Sequence, residues 1–201
     1  MTTSRTEMFS DGVFAISITL LVLEIRVPPD TALGPALLSL WPSYVAYVTS
    51  FLLIGAIWLN HHTMFEQIVF VNSTLMLFNL LALMTIAFMP FPTAVLAHAL
   101  HKGSGENIAA AFYGGTLTLA GIFINLIWRY AARRPELLDP TLSTAQVSKM
   151  SRRYLLAPVA YLLAAVIALV LPYLALLLYG LLIAFYLWPR PVHEPAQSAF
   201  D

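Results

Sequence analysis

The chain has 201 residues, of which 60% are apolar and only 10% are charged, and its formal net charge is zero. A soluble domain is about half apolar and roughly a quarter charged, so this composition indicates a membrane protein. The zero net charge argues against a nucleic-acid partner, and the lack of cysteine excludes disulfides, thiol catalysis and cysteine-ligated metal sites.

Six apolar stretches are candidate membrane-spanning helices, since crossing the hydrocarbon core takes about 20 helical residues, and the last two of them are the shortest. The last two are separated by Pro172, which interrupts a long apolar run and predicts a turn between two antiparallel spans. We therefore predict an all-α protein with a single transmembrane domain over residues 1–201, including a flexible tail over residues 189–201. The predicted spans cover residues 6–27, 42–61, 71–98, 106–130, 153–171 and 173–188.

The distribution of Lys and Arg predicts the orientation of these spans, because cytoplasmic loops of membrane proteins carry an excess of both. If the N-terminus is cytoplasmic, eight of the ten fall inside, and both termini are then cytoplasmic. Three tryptophans near predicted span ends, Trp41, Trp128 and Trp188, are expected to anchor the protein at the membrane interface. The residues predicted inside are Arg5, Arg129, Arg133, Arg134, Lys149, Arg152, Arg153 and Arg190, against Arg26 and Lys102 outside.

The first span carries a carboxylate, Asp11, near its start. Ser4 and Glu7 match the S-x-x-E capping box, which places the helix start before Ser10 and makes Asp11 an interior residue. In that case Asp11 needs a partner from another helix. In the alternative, Ser10 is the N-cap and Asp11 complements the helix dipole in the first turn. Both interpretations make Asp11 a structural residue and not a catalytic one.

An apolar stripe runs along the same predicted helix. At about 100° per residue, Asp11 lies about 140° around the helix from Ile16 and therefore faces away from the stripe. Periodicity alone favours lipid contact or ordinary helix packing for such a stripe. Its members are Ile16, Thr19, Leu20, Leu23 and Val27.

The end of the second predicted span is the densest polar cluster of the chain, with Trp58, Asn60, His61, His62 and Glu66. His62 and Glu66 are four residues apart, but adjacent histidines point about 100° apart and cannot both join them in one metal site. We expect instead that His61 or His62 bonds Asp11 or Ser10 across helices, because polar groups within a membrane seek internal partners.

Polar residues in the later spans are also expected to form hydrogen bonds between helices. Asn72, Asn79 and Asn125 are interpreted as interhelical contacts. The sequence contains no nucleotide-binding loop, serine-elbow motif or H-E-x-x-H site, so the chain is predicted not to be an enzyme.

Residues 5–11, with Arg5 followed by Phe9-Ser10-Asp11, resemble the R-x-x-x-F-S-D signature of the transmembrane protein 175 family of potassium channels. The likeness continues through GVFAISITLLVLEI and through WLNHH in the second span. The resemblance implies a homotetramer in a bacterial inner membrane, in which the first helix of each copy lines the pore. It also implies that no carbonyl filter loop is used, in agreement with the lack of a T-V-G-Y-G segment.

The resemblance further implies roles for single residues. Ile16 falls on the hydrophobic constriction of the family, which Leu20 and Leu23 would extend, and Thr19 falls on its hydroxyl layer. Potassium is the implied permeant ion, and neither a cofactor nor a bound metal is implied. The residues implied to fasten the pore helices are Arg5, Phe9, Ser10, Asp11, Trp58, Asn60 and His61 or His62.

Two other functions stay open at this point. A secondary transporter of a small solute, proton-coupled or otherwise, would favour broken helices in corresponding halves of the chain and a charged midplane site. A membrane enzyme or metal protein would have to use His61, His62 and Glu66. Modest potassium selectivity is the prediction for a channel, because one hydroxyl layer supplies fewer dipoles than stacked carbonyl rings.

Overall fold

The computed structural model describes residues 3–29 and 32–187, and within them the regular structure is helical apart from isolated β-bridge residues, among which Ile68 pairs with Leu138. Short 3-10 helices cover Leu21–Glu24 and Pro135–Leu137. The α-helices are α1 (Thr3–Leu20), α2 (Leu33–Ser39), α3 (Trp41–Phe65), α4 (Ser73–Phe88), α5 (Pro90–Lys102), α6 (Glu106–Ala132), α7 (Thr144–Ala168) and α8 (Pro172–Leu187).

Five helical segments are long and apolar enough to cross a membrane, which makes the chain a multi-pass membrane protein. They are Thr3–Glu24, Trp41–Phe65, Ser73–Lys102, Glu106–Ala132 and Thr144–Ala168. Helix α8 is also apolar, but its 16 residues extend only about 24 Å at 1.5 Å per residue. That length is less than the hydrocarbon thickness of about 30 Å, so the sixth span stays a prediction.

The first helix differs from its predicted form at both ends. Helix α1 already includes Thr3, so neither Ser4 nor Ser10 is its N-cap, and the alternative in which Ser10 caps the helix is wrong. The α-helix ends at Leu20 and not near residue 27, passing through the 3-10 turn into extended backbone at Ile25. Two prolines, Pro28 and Pro29, follow, and proline disfavours helical backbone in the residue before it.

The other differences also have local causes. Helix α7 begins at Thr144, ahead of the predicted residue 153, because Ser143 and Gln146 form a complete capping box. The predicted third span is two helices, since Pro90 starts α5 immediately after α4 ends and Met89 connects them. Proline has no backbone N–H to continue the α4 ladder. Gly103 then ends α5 with a positive φ of 68°, a conformation that glycine adopts without steric cost.

Helix α6 is central to the bundle and packs against α4, α5, α7 and α8. Its contact with α7 is close, because a Cβ on Gly121 would lie 3.2 Å from Pro158 Cα. Trp128 is fully buried and donates its Nε1 hydrogen to Ser151 Oγ at 2.9 Å, so the expectation that it anchors at the interface is wrong. Trp41 is exposed near the start of α3, and Trp188 lies outside the described residues.

Loop contacts define two ends of the bundle. Thr3 Oγ1 donates to Val69 O at 2.9 Å and the Asp139 amide donates to Gln67 O at 3.0 Å, so the start of α1 lies beside the α3–α4 and α6–α7 loops. We call this the Thr3 end. At the opposite end, His101 Nδ1 donates to Ser39 O at 3.2 Å, next to the turn at Gly103, and we call this the Gly103 end.

Candidate functional site

Helix α1 has one buried face and one exposed face. The buried positions recur every three or four residues, as expected for one side of an α-helix. They are Thr6, Ser10, Phe14 and Ser17, followed by Leu21 in the 3-10 turn. This face packs against α3 and α4. The opposite face carries the predicted stripe, whose side chains stay exposed within the described chain.

A buried hydrogen-bond chain fastens α1 to α3 and α4. Asn79 Nδ2 donates to Ser10 Oγ at 3.1 Å, and His61 Nε2 lies 2.8 Å from Asn79 Oδ1, which accepts its hydrogen. Ser10, His61 and Asn79 are each fully buried, and the His61 ring also stacks on Phe65 with 4.5 Å between centroids. Buried polar groups of this kind are costly unless paired, so the chain of bonds holds the three helices in one arrangement.

A second contact holds α1 at Asp11. Trp58 Nε1 donates to Asp11 Oδ1 at 2.8 Å, and the Trp58 ring stacks on His62 with 5.8 Å between centroids. The His62 ring nitrogens do not contact Asp11. They lie beside two other acids, with Nδ1 3.1 Å from Glu7 and Nε2 3.6 Å from Glu66. The expectation that a histidine bonds Asp11 directly is therefore wrong, and so is direct bonding to Ser10, which His61 reaches only through Asn79.

Three residues of the expected fastening set lie elsewhere. Asn60 faces α7, where Arg153 donates to its Oδ1 at 2.7 Å, and its Nδ2 donates to Ala56 O in its own helix. Arg5 and Phe9 are exposed and lie outside both contacts that α1 makes through Ser10 and Asp11. The two sequence motifs are thus brought together through Ser10, Asp11, Trp58 and His61, the last acting through Asn79.

The stripe residues are exposed. The exposed fraction is 60% for Ile16, 41% for Leu20 and 64% for Leu23, whereas Val27 is exposed beyond the helical part of the segment. Thr19 is also exposed, and its hydroxyl donates to Ile16 O at 2.9 Å. Because that hydrogen is used within the helix, the free lone pairs of Thr19 Oγ1 make it an acceptor toward whatever faces α1.

Sequence reasoning missed a hydroxyl cluster in the core of the bundle. Thr93 Oγ1 donates to Met89 O at 2.8 Å, so it accepts from Ser50, whose hydroxyl lies 2.8 Å away. Ser50 in turn accepts from the Tyr113 hydroxyl at 2.9 Å. The cluster connects α3, α5 and α6. The only signal in the sequence is a small hydroxyl residue in each of two apolar spans, which periodicity does not distinguish from helix packing.

The fold and this site define a multi-pass α-helical membrane protein in which an exposed apolar helix face is fixed by polar contacts on its back. The family described as "Endosomal/lysosomal potassium channel TMEM175" matches residues 5–90. A potassium channel from Streptomyces collinus is 40% identical over 201 residues, covering 97% of this chain and 98% of that protein. The chain therefore belongs to the TMEM175 family of ion channels, as its two motifs predicted, and is not an enzyme.

A solved structure and more distant relatives agree with this assignment. The crystal structure of a lysosomal potassium-selective channel TMEM175 homologue from Chamaesiphon minutus superposes with a TM-score of 0.82 at 37% identity, covering 92% of this chain and 95% of that one. A Danio rerio relative, 34% identical over 136 residues, is described as an endosomal/lysosomal proton channel. The match covers 62% of this chain and 26% of that protein.

Proposed function

We propose that this chain is one subunit of a potassium-permeable cation channel, in which α1 of four copies surrounds a central pore in the bacterial inner membrane. The observation that carries the proposal is the exposed apolar stripe of α1 at Ile16, Leu20 and Leu23, on a helix whose opposite face is fastened to α3 and α4. The resemblance to proteins described as potassium channels supports the choice of ion.

Ile16 forms the constriction in this proposal. A narrow ring of apolar side chains dewets, and an ion entering it loses water without receiving protein oxygens in exchange, so the ring is a barrier or gate. Leu20 lies one turn further along, and Leu23 extends the apolar lining over about 10 Å from Ile16.

Thr19 supplies the oxygen atoms that favour potassium. Its hydroxyl hydrogen is occupied by Ile16 O, which leaves lone pairs to replace part of the hydration shell of a passing cation. Potassium dehydrates more readily than sodium and is therefore favoured. Selectivity is modest, because one layer of hydroxyls supplies few dipoles.

The proposed topology has six spans in a single domain over residues 1–201, with both termini in the cytoplasm. Of the eight Lys and Arg residues predicted inside, seven lie toward the Thr3 end and Arg190 lies outside the described residues, whereas Arg26 and Lys102 lie at the Gly103 end. This asymmetry supports a cytoplasmic Thr3 end. Asp11, Ser10 and their partners do not meet the ion here, but hold the pore helix in place.

Reversal potentials across liposomes containing the purified protein, with potassium on one side and sodium on the other, test the proposal. We expect a passive current that reverses toward the potassium equilibrium potential. A flux that saturates and depends on a proton gradient would indicate a secondary transporter instead. Because some relatives are described as proton channels, a third arm with only a pH gradient measures proton permeation separately. Native mass spectrometry of the same sample is expected to give four copies.

A further inference from the structure

A basic groove lies between α6 and α7 toward the Thr3 end, away from α1 and its contacts. The groove has a volume of about 310 Å³ and presents two facing rows of side chains. One row is Asn125 and Arg129 on α6 and Arg133 at its C-cap, which follow each other at four-residue spacing. On α7 the row includes Ser148, Arg152 and Leu155.

The inner end of the groove holds a buried donor without a partner. Asn125 is only 6% exposed, and its Nδ2 makes no hydrogen bond to any residue in the described ranges 3–29 and 32–187. A buried amide nitrogen in this condition is destabilising unless something accepts its hydrogens. The neighbouring Ser151 hydroxyl donates to Val147 O and accepts from Trp128, and it makes no bond to Asn125 Nδ2.

The charge of the groove is unbalanced. Three arginines line it, and the part of the chain that the structure describes contributes no Asp or Glu to the lining. Arginine presents a planar fork of donors that matches the oxygens of a phosphate group. Together with the Asn125 amide, the groove supplies donors from two helices and repels cations.

The surroundings favour a ligand that is anionic at one end and apolar at the other. One turn further from the Thr3 end, on the same two helix faces, lie Ile122 and Val159, and both are exposed together with Leu155. The basic part of the groove is thus nearer the Thr3 end and the apolar part nearer the middle of the two spans, which is the order expected of a site at a membrane interface. Basic pockets between transmembrane helices on the cytoplasmic side are suited to lipid head groups.

We propose that this groove binds the phosphate group of an anionic phospholipid. Arg129, Arg133 and Arg152 contact the phosphate oxygens, and Asn125 Nδ2 donates to the innermost oxygen of the head group. The acyl chains lie along Leu155 and Val159. This site is separate from the pore proposed above and does not depend on it.

Native mass spectrometry of the purified protein, titrated with defined lipids, tests the site. Phosphatidylglycerol is the probe, and phosphatidylcholine with the same acyl chains is the zwitterionic comparison. We expect phosphatidylglycerol to bind more tightly than phosphatidylcholine, and R129Q/R152Q to weaken it roughly tenfold to a hundredfold, as loss of charge-assisted hydrogen bonds predicts. N125A is expected to weaken it by about fivefold, because a single neutral donor is lost.

The matched control is K149Q, because Lys149 is an exposed cation on the same helix outside the groove. It is expected to leave the affinity within about twofold. If R129Q/R152Q does not fold, R129K/R152K keeps the charge and tests the guanidinium fork by itself, with an intermediate loss expected.

Several outcomes would overturn the proposal. They are equal affinities for the two lipids, an equal loss in K149Q and R129Q/R152Q, and binding of inorganic phosphate that depends on the arginines while phosphatidylglycerol does not compete. A loss of subunit assembly in R129Q/R152Q with unchanged lipid binding would assign the groove to contact between copies of the chain.

Discussion

Trp58 donates its indole hydrogen to Asp11 Oδ1 at 2.8 Å, and this bond fixes the rotation of α1 about its axis. Asp11 is about 140° from Ile16 around the helix. While Asp11 is held against α3, Ile16 therefore points away from the bundle, and the 60% exposure of its side chain reflects that rotation. The angle between Asp11 and the stripe is set within one helix, so changes on the back of α1 are expected to affect the proposed pore face indirectly.

Asp11→Ala is expected to lower stability and the yield of assembled protein before it alters permeation. The substitution removes the acceptor of a charge-assisted hydrogen bond worth about 1.5–3 kcal/mol. Thermal melting in detergent and the tetramer yield on size exclusion measure the effect. Asp11→Asn is the matched control, since it keeps an oxygen acceptor for Trp58, and it is expected to lose less. Normal tetramer yield with altered selectivity in D11A would place Asp11 in the ion path instead.

Asn79→Leu is expected to destabilise the protein by about 1–3 kcal/mol, because an apolar side chain of similar size leaves His61 Nε2 buried without its acceptor. Ser10→Ala is expected to cost a comparable amount, because it leaves the buried Asn79 Nδ2 without its acceptor, although the Ser10 hydroxyl itself donates only to Thr6 O within α1. Melting temperatures of the two variants and their combination give the coupling energy. Purely additive effects would mean that Ser10 and Asn79 do not act as one network.

Ile16→Asn is expected to raise the current and lower the preference for potassium, because an amide side chain at the constriction keeps water in the pore there. A barrier lowered by about 1.4 kcal/mol increases the flux tenfold. Leu163→Asn on α7 is the control, because that residue has nearly the same exposure, 59%, on a helix outside the proposed pore. Liposome currents that are unchanged in I16N, or raised equally in both variants, would contradict a pore position for Ile16.

Thr19→Val is expected to lower the permeability ratio of potassium to sodium, because valine keeps the shape of the side chain and removes the oxygen. Loss of one hydroxyl per subunit, at about 0.5–1.5 kcal/mol, corresponds to a change of roughly twofold to tenfold. Thr19→Ser keeps the hydroxyl and is expected to resemble the unmodified protein in bi-ionic reversal potentials. If the valine variant retains the full ratio, selectivity arises elsewhere along the pore.

The two faces of α1 could be predicted from sequence because they follow from the helical period alone. Asp11 and Ile16 are on one continuous helix, so their relative direction needs no knowledge of the rest of the fold. The 3-10 turn after Leu20 was not predictable from hydropathy, since it depends on how the chain enters the Pro28-Pro29 segment.

The partners of His61 and Trp128 could not be predicted, because each depends on a neighbouring helix that the two motifs do not include. His61 bonds Ser10 only through Asn79 on α4, and a two-helix argument from the motifs does not include α4. The position of Trp128 near a span end likewise predicts a residue at the membrane interface. In the structure the packing of α7 buries Trp128 against Ser151. The helical period determines which way a side chain points from its helix, whereas tertiary packing determines which residue it contacts.

Gly114→Ala is expected to destabilise the bundle while Gly115→Ala does not, although the two residues are adjacent on α6. A Cβ on Gly114 would lie 2.9 Å from Ala165 Cβ and still closer to the Tyr179 hydroxyl, so α7 or α8 must shift. Overpacking of this kind costs about 1–3 kcal/mol. A Cβ on Gly115 would meet nothing within 4 Å, and alanine is the better helix former there.

Melting curves in detergent distinguish the two variants. Tyr179→Phe removes the hydroxyl that the new methyl group meets, so G114A/Y179F is expected to recover part of the loss in G114A. The recovery is incomplete, because Ala165 stays in place and the bond from the Tyr179 hydroxyl to Ala110 O is lost. Equal melting temperatures for G114A and G115A would contradict the close packing of α6 against α7 and α8, on which the position of the α7 side of the basic groove also depends.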